Sequence, residues 1–238
     1  METSNFDILA RFETRLNSAK TESDNAFFYD LLLYGELIVK ITSLFLIANL
    51  NEDKDRNRYR HLYRITRAGG IGDFSQVIME ILSGPASGNL SSAISDYELI
   101  ELNNKIDPHS WQKEALYSLI DCLKLFEIDY TQPSAKTPFR VWFTLFASLR
   151  NKTKGHGAPT AEKISKACLL LEKSLSNVVN NLTLFKRPWV FLHRNLNGKY
   201  RVSAISKGNS ASFDFLKREK DHSYKNGIYC YTDSIRRV

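Results

Sequence analysis

The 238 residues, 43% hydrophobic and 25% charged, suffice for one well-cored domain and exclude a disordered or low-complexity chain. The excess of 33 Lys+Arg over 26 Asp+Glu gives a net charge of +7 and a pI near 9.2, which favours anionic partners, nucleic acid first. Cys122, Cys168 and Cys230 are widely separated and form no CxxC pair, so neither a zinc knuckle nor a disulfide framework is expected.

The N-terminal METSNFDILARFETR lacks a basic segment followed by an apolar one, and no signal peptide is read there. A first helix is expected over 5–19, where Phe6, Leu9, Phe12 and Leu16 step along one face. The second, about 25–50, is apolar on most sides. Glu36 and Lys40 interrupt its richest stretch, LLLYGELIVKITSLFLIANL, which reads as a core helix and not a membrane span. RNRYRHLYRITR follows as a basic helix, then a turn AGGIGD and a short helix over 74–82. Two helices over 96–106 and 111–126 are split by Asp107-Pro108, with Ser110 as N-cap. Helices over 139–150 and 160–181 close the bundle.

Beyond residue 185 the pattern alternates. WVFLHR, NLNG and KYRVSAIS spell a hairpin with Asn197-Gly198 at its turn, and SFDFLK and GIYCYT read as two more strands. A lone hairpin is marginal in water, so these strands should form a small sheet packed on the bundle or on a further domain. The chain ends on DSIRRV directly after a strand-like run, which hints at one module of a longer polypeptide. The expected organisation is therefore a helical bundle over 1–184 with a β-rich appendage over 185–238.

Three pairs match Arg-x(4–6)-His: Arg56/His61, Arg150/His156 and Arg187/His193. Fifteen arginines and five histidines produce about one such match by chance, so context must discriminate. Arg187 and His193 fall on a strand outside the bundle. Arg56 and His61, five apart on one helix, point to different faces. Arg150 differs. Phe139, Trp142, Phe143, Phe146 and Leu149 orient it from a core, Asn151 follows it, and Gly155 and Gly157 flank His156 before the next helix starts at Thr160. Such a helix–junction–helix arrangement holds two polar groups close together on rigid supports.

At RNKTKGH, 150–156, and in the helical architecture of roughly 5–183, the chain resembles the HEPN domain family (higher eukaryotes and prokaryotes nucleotide-binding). The fold implied is an HEPN-like helical bundle, mostly α, here with a small antiparallel C-terminal sheet. The resemblance implies a metal-independent ribonuclease without cofactor. It also implies a homodimer with a composite active site, and a toxin or antiviral defence effector; the lack of a signal peptide, the dispersed cysteines and the interrupted apolar run lead separately to the expectation of a cytoplasmic protein with no membrane. The position two residues after the histidine is Ala158, not the tyrosine of family toxins paired with nucleotidyltransferase antitoxins, so regulation by modification there is not expected.

RNA carries its own nucleophile, the 2′-hydroxyl. In this reading His156 acts as base or acid, Arg150 binds the scissile phosphate, Asn151 orients phosphate or histidine, and Lys152 and Lys154 add positive field. The products would carry 2′,3′-cyclic phosphate. Arg56, Arg60, Arg64 and Arg67 form a helical stripe flanked by Tyr59 and Tyr63, a surface for RNA backbone and stacked bases. Carboxylates such as Asp96, Glu98 and Glu101 have no partner histidines at metal-ligand spacing, and AGGIGD lacks dinucleotide-binding context.

The alternatives are specific. Arg150 and Lys152 would merely neutralise a helix C-terminus, with Gly155 as the stop and His156 at the surface. The chain would then be a non-catalytic module for dimerisation or nucleic-acid binding, its C-terminal strands docking a larger defence-protein partner. A plain duplex-DNA binder is the third reading.

Overall fold

The computed structural model describes residues 4, 6–134, 136–155, 160–206, 211–218 and 224–238. It is a mostly helical bundle with a small antiparallel sheet near its C-terminus. Helix α1 (Asp7–Glu22) lies along α2 (Asp24–Ala48), whose start is capped by Ser23 accepting from the Ala26 amide. By length and apolarity α2 would cross a bilayer, but 78% of its most apolar window is buried, and it serves as the core helix. Around it stand α3 (Asn57–Thr66), α4 (Ile71–Ser83), α7 (Val141–Gly155) and α8 (Ala161–Asn181), with α6 (Trp111–Leu125) against α8 and the short α5 (Glu98–Asn103) beside α4.

The apolar periodicity places these helices, and the caps mark several of their ends. Ser110 and Thr160 accept from the amides of Lys113 and Lys163, as N-caps should. Several boundaries depart from expectation, among them the helix expected over 96–106, which is the shorter α5. The segment AGGIGD is not only a turn: Asp73 accepts from the amides of Gly69 and Gly70, at 2.8 and 3.3 Å, so α4 begins at Ile71. Helix α7 does not stop at Arg150 but runs to Gly155.

The sheet has the order β2-β1-β3-β4 and every pairing is antiparallel. Strands β1 (Trp189–Arg194) and β2 (Tyr200–Ala204) form the expected hairpin, with Gly198 at φ +78°, where glycine is favoured. Strand β3 (Gly227–Tyr231) pairs with β1, and β4 (Ile235–Arg237) is an edge strand. The expected strand in SFDFLK is instead a 3-10 turn followed by α9 (Phe215–Arg218). Phe213 and Leu216, three apart, cover the sheet face formed by Val190, Leu192 and Tyr229, a helical spacing that alternation would not deliver.

The opposite face joins the bundle. Trp189 and Cys230, register partners, belong to the main core. Trp189 packs edge-on against Phe6 at 5.2 Å and donates to the Leu184 carbonyl. Arg187, just before β1, is held by the fully buried Glu98 at 2.7 and 2.9 Å. Bundle and sheet therefore share one core across residue 185.

Candidate active site

Helix α7 is locked from two sides before it reaches its polar end. The Trp142 indole donates to Ser174 of α8 at 2.9 Å, and Ser174 donates to the Ala115 carbonyl of α6 at 2.7 Å. On the other side the Phe146 ring lies against Gly35 of α2. A β-carbon at Gly35 would fall 2.1 Å from that ring, so only glycine permits this approach. Glu36 follows Gly35, and Arg150 follows Phe146 by one helical turn. The contact that joins the helices also aligns these charges.

Arg150 donates through Nε to Glu36 Oε1 in a short hydrogen bond, and through Nη1 to Asn151 Oδ1 at 3.3 Å. The Lys40 ammonium stands 3.7 Å from Glu36 Oε2 and 5.7 Å from the Phe74 ring centre. The Arg150 side chain is 20% exposed and that of Glu36 11%, so the pair sits at the protein boundary. Among the described residues, Nη2 of Arg150 has no hydrogen-bond partner. Asn151 is exposed, and its amide nitrogen would stand 3.8 Å from a β-carbon at Gly72, in the first turn of α4. The helix expected to stop at Arg150 runs on to Gly155, and the Arg150 guanidinium donates to Glu36 of α2.

Lys152 is exposed, and Thr153 is buried with its hydroxyl donating to the Leu149 carbonyl. His156 lies outside the described residues, as does the side chain of Lys154. Glu36 and Lys40 were legible only as interruptions of an apolar run. Two opposite charges four apart inside a core helix are the signal that could have found them.

The other two Arg/His pairs do not converge. His61 is buried toward Glu80 (4.0 Å), while Arg56 is exposed with its guanidinium 4.3 Å from the Tyr59 ring centre. Arg187 is committed to Glu98, and His193 is exposed on β1.

The basic stripe is modified by its partners. Arg64 pairs with Glu80 at 2.7 Å, so its charge is internally matched. Arg56, Tyr59, Tyr63 and Arg67 instead form an exposed ladder. The tyrosine rings stack with centres 6.2 Å apart, and Arg67 stands 4.4 Å from the Tyr63 ring centre. Arg60 is exposed beside them. Tyr59 and Tyr63 are 50% and 45% exposed, unusual for rings with no packing duty in the core.

Among the described residues no three His, Cys, Asp or Glu side chains are grouped to hold a metal ion. The three cysteines are buried free thiols, and burial pushes Cys122 and Cys168 each up to about 12, so they are poor nucleophiles. No protein-family model, curated protein or solved structure matches the chain.

Proposed function

We propose that the chain is a metal-independent endoribonuclease of HEPN-like type, with Arg150 and His156 as its reacting pair. The observation that carries this reading is the guanidinium of Arg150, fixed through Nε by Glu36 while Nη2 has no hydrogen-bond partner among the described residues. A guanidinium fixed on one edge presents the other to a phosphate without reorganising, which is how a charge stabilises a transition state. Asn151 and Lys40 flank it, and His156 follows directly on α7.

In the reaction, a base removes the 2′-hydroxyl proton and the 2′-oxygen attacks phosphorus. The 5′-oxygen leaves with a proton from an acid, and a 2′,3′-cyclic phosphate remains. His156 fills the base or acid role. Arg150 neutralises charge on the phosphoryl oxygens, and Glu36 positions Arg150. The exposed arginine–tyrosine ladder of α3, with Arg60, serves to bind the RNA strand.

The homodimer belongs to the same proposal. Tyr29 and Leu33 are large apolar residues left 42% and 37% exposed, two turns and one turn before Glu36 on α2. A second copy seated there would bring two Arg150 sites together. A defence or toxin role follows from the resemblance alone.

One observation favours a second reading. The Arg150–Glu36 pair also ties α7 to α2, which a non-catalytic module binding nucleic acid or a defence partner would equally need. Incubating the purified chain with single-stranded and structured RNA in EDTA, beside Arg150→Ala and His156→Ala, separates the two. Cleavage lost in both variants, with cyclic-phosphate ends in the wild type, supports the nuclease. Cleavage surviving both substitutions removes the assignment.

A further inference from the structure

Between α3 and the edge strand β4 lies a cavity of about 320 Å³, lined by Arg58, Tyr224, Lys225, Tyr229, Ile235, Arg236 and Arg237. Four of these seven are cations, contributed by α3, the approach to β3 and β4. None of the described lining residues is a carboxylate. Asp233 reaches Arg236 from outside the wall, at 3.6 Å. Bringing four like charges to one partly enclosed space is unfavourable unless an anion enters it.

The hydrogen bonding points the same way. Among the described residues the Nε groups of Arg58 and Arg236 are buried and have no partner, and a buried donor left unmade is unfavourable. Arg236 spends its terminal nitrogens on Asn51 and Ser91, and Arg237 donates to the Asn226 carbonyl. The Arg58 side chain makes no hydrogen bond among the described residues. The cavity also has an aromatic wall, since Tyr224 and Tyr229 meet edge to face at 5.8 Å. Its volume lies at the small end of the range for small-molecule pockets and exceeds what a bare phosphate needs.

We propose that this cavity binds a nucleotide, its phosphate held by Arg58, Lys225 and Arg237 and its base against the tyrosine wall. The source is a free mononucleotide or the phosphorylated end of an RNA strand; both present the same chemistry. The proposal does not depend on the chain being a ribonuclease.

The test is calorimetric titration of the intact chain with AMP, with inorganic phosphate, and with a short RNA bearing either a 5′-phosphate or a 5′-hydroxyl. Arg58→Ala, Arg237→Ala and the control Lys113→Ala, at a different surface depression, are titrated alongside, with melting curves to verify folding. Saturable AMP binding, weakened about tenfold or more by Arg58→Ala and unchanged by the control, is the expected result. Binding only of the 5′-phosphorylated RNA, with the same dependence on Arg58, identifies the strand end as the source. Inorganic phosphate binding as tightly as AMP overturns the nucleotide assignment. So does absence of binding, or binding that both arginine variants leave intact. Among the described residues the Arg58 side chain makes no hydrogen bond whose loss would unfold the chain, so its variant keeps the test valid should Arg237→Ala fold poorly.

Discussion

Glu36 of α2 accepts a hydrogen bond from the Nε of Arg150 on α7, across 114 residues of sequence. The bond orients the guanidinium, and among the described residues Nη2 has no hydrogen-bond partner. Glu36→Gln keeps the shape and removes the charge. RNA cleavage should fall about a hundredfold, as expected when a reacting group is misplaced by about an ångström. Glu36→Ala should also destabilise the fold by roughly 3 kcal/mol in urea unfolding, because Arg150 is left partly buried and unpaired. Unchanged cleavage in Glu36→Gln would remove Glu36 from the site.

Gly35 governs the same relationship sterically. Gly35→Ala puts a methyl 2.1 Å from the Phe146 ring and must push α2 and α7 apart. A loss of about 1–3 kcal/mol is expected, measured as a shift in urea midpoint, with cleavage falling as well. Pairing it with Phe146→Leu should recover stability.

The Trp142–Ser174–Ala115 chain ties α7 to α8 and α6. Ser174→Ala leaves the buried Trp142 N–H without an acceptor, and should cost about 1–3 kcal/mol of stability. Ser174→Thr, retaining a hydroxyl, should lose less, and chemical denaturation distinguishes the two.

Burial holds the His61 imidazole below its ordinary pKa, with Glu80 opposing and Arg64 reinforcing the shift. As pH falls from its ordinary value of 6.5 toward the lower folded value, the unfolded chain takes up a proton that the folded chain does not. The contribution of His61 to stability is complete above 6.5 and declines as pH falls through that window. His61→Gln should therefore show a shallower loss of urea midpoint between about pH 7.5 and pH 5 than the wild type. Identical slopes would place the pH dependence elsewhere.

The ladder on α3 makes a separate prediction. Tyr59→Ala and Tyr63→Ala should each weaken binding of single-stranded RNA by about 1–3 kcal/mol and leave stability nearly unchanged, since both rings are about half exposed. Arg64→Ala should weaken binding less than Arg60→Ala, because Glu80 already matches the Arg64 charge. Filter binding at two salt concentrations measures both effects.

Much of this protein was determined by local sequence. Apolar residues at helical spacing placed the bundle, Ser110 and Thr160 marked helix starts, and Asn197-Gly198 marked the hairpin, because capping and turn chemistry act within a few residues. Arg150 and Asn151 were legible as a polar pair following a core-facing run. Tertiary structure decided the rest. Glu36 and Lys40 read as interruptions of a hydrophobic stretch until α7 was laid across Gly35, because only packing brings positions 36 and 150 together. Helix α7 runs past Arg150 to Gly155, with Thr153 buried and its hydroxyl donating to the Leu149 carbonyl, a burial that the local sequence does not show. Segment 213–216 became a turn and helix because one sheet face needed covering, and a contact of that range leaves no period in the sequence.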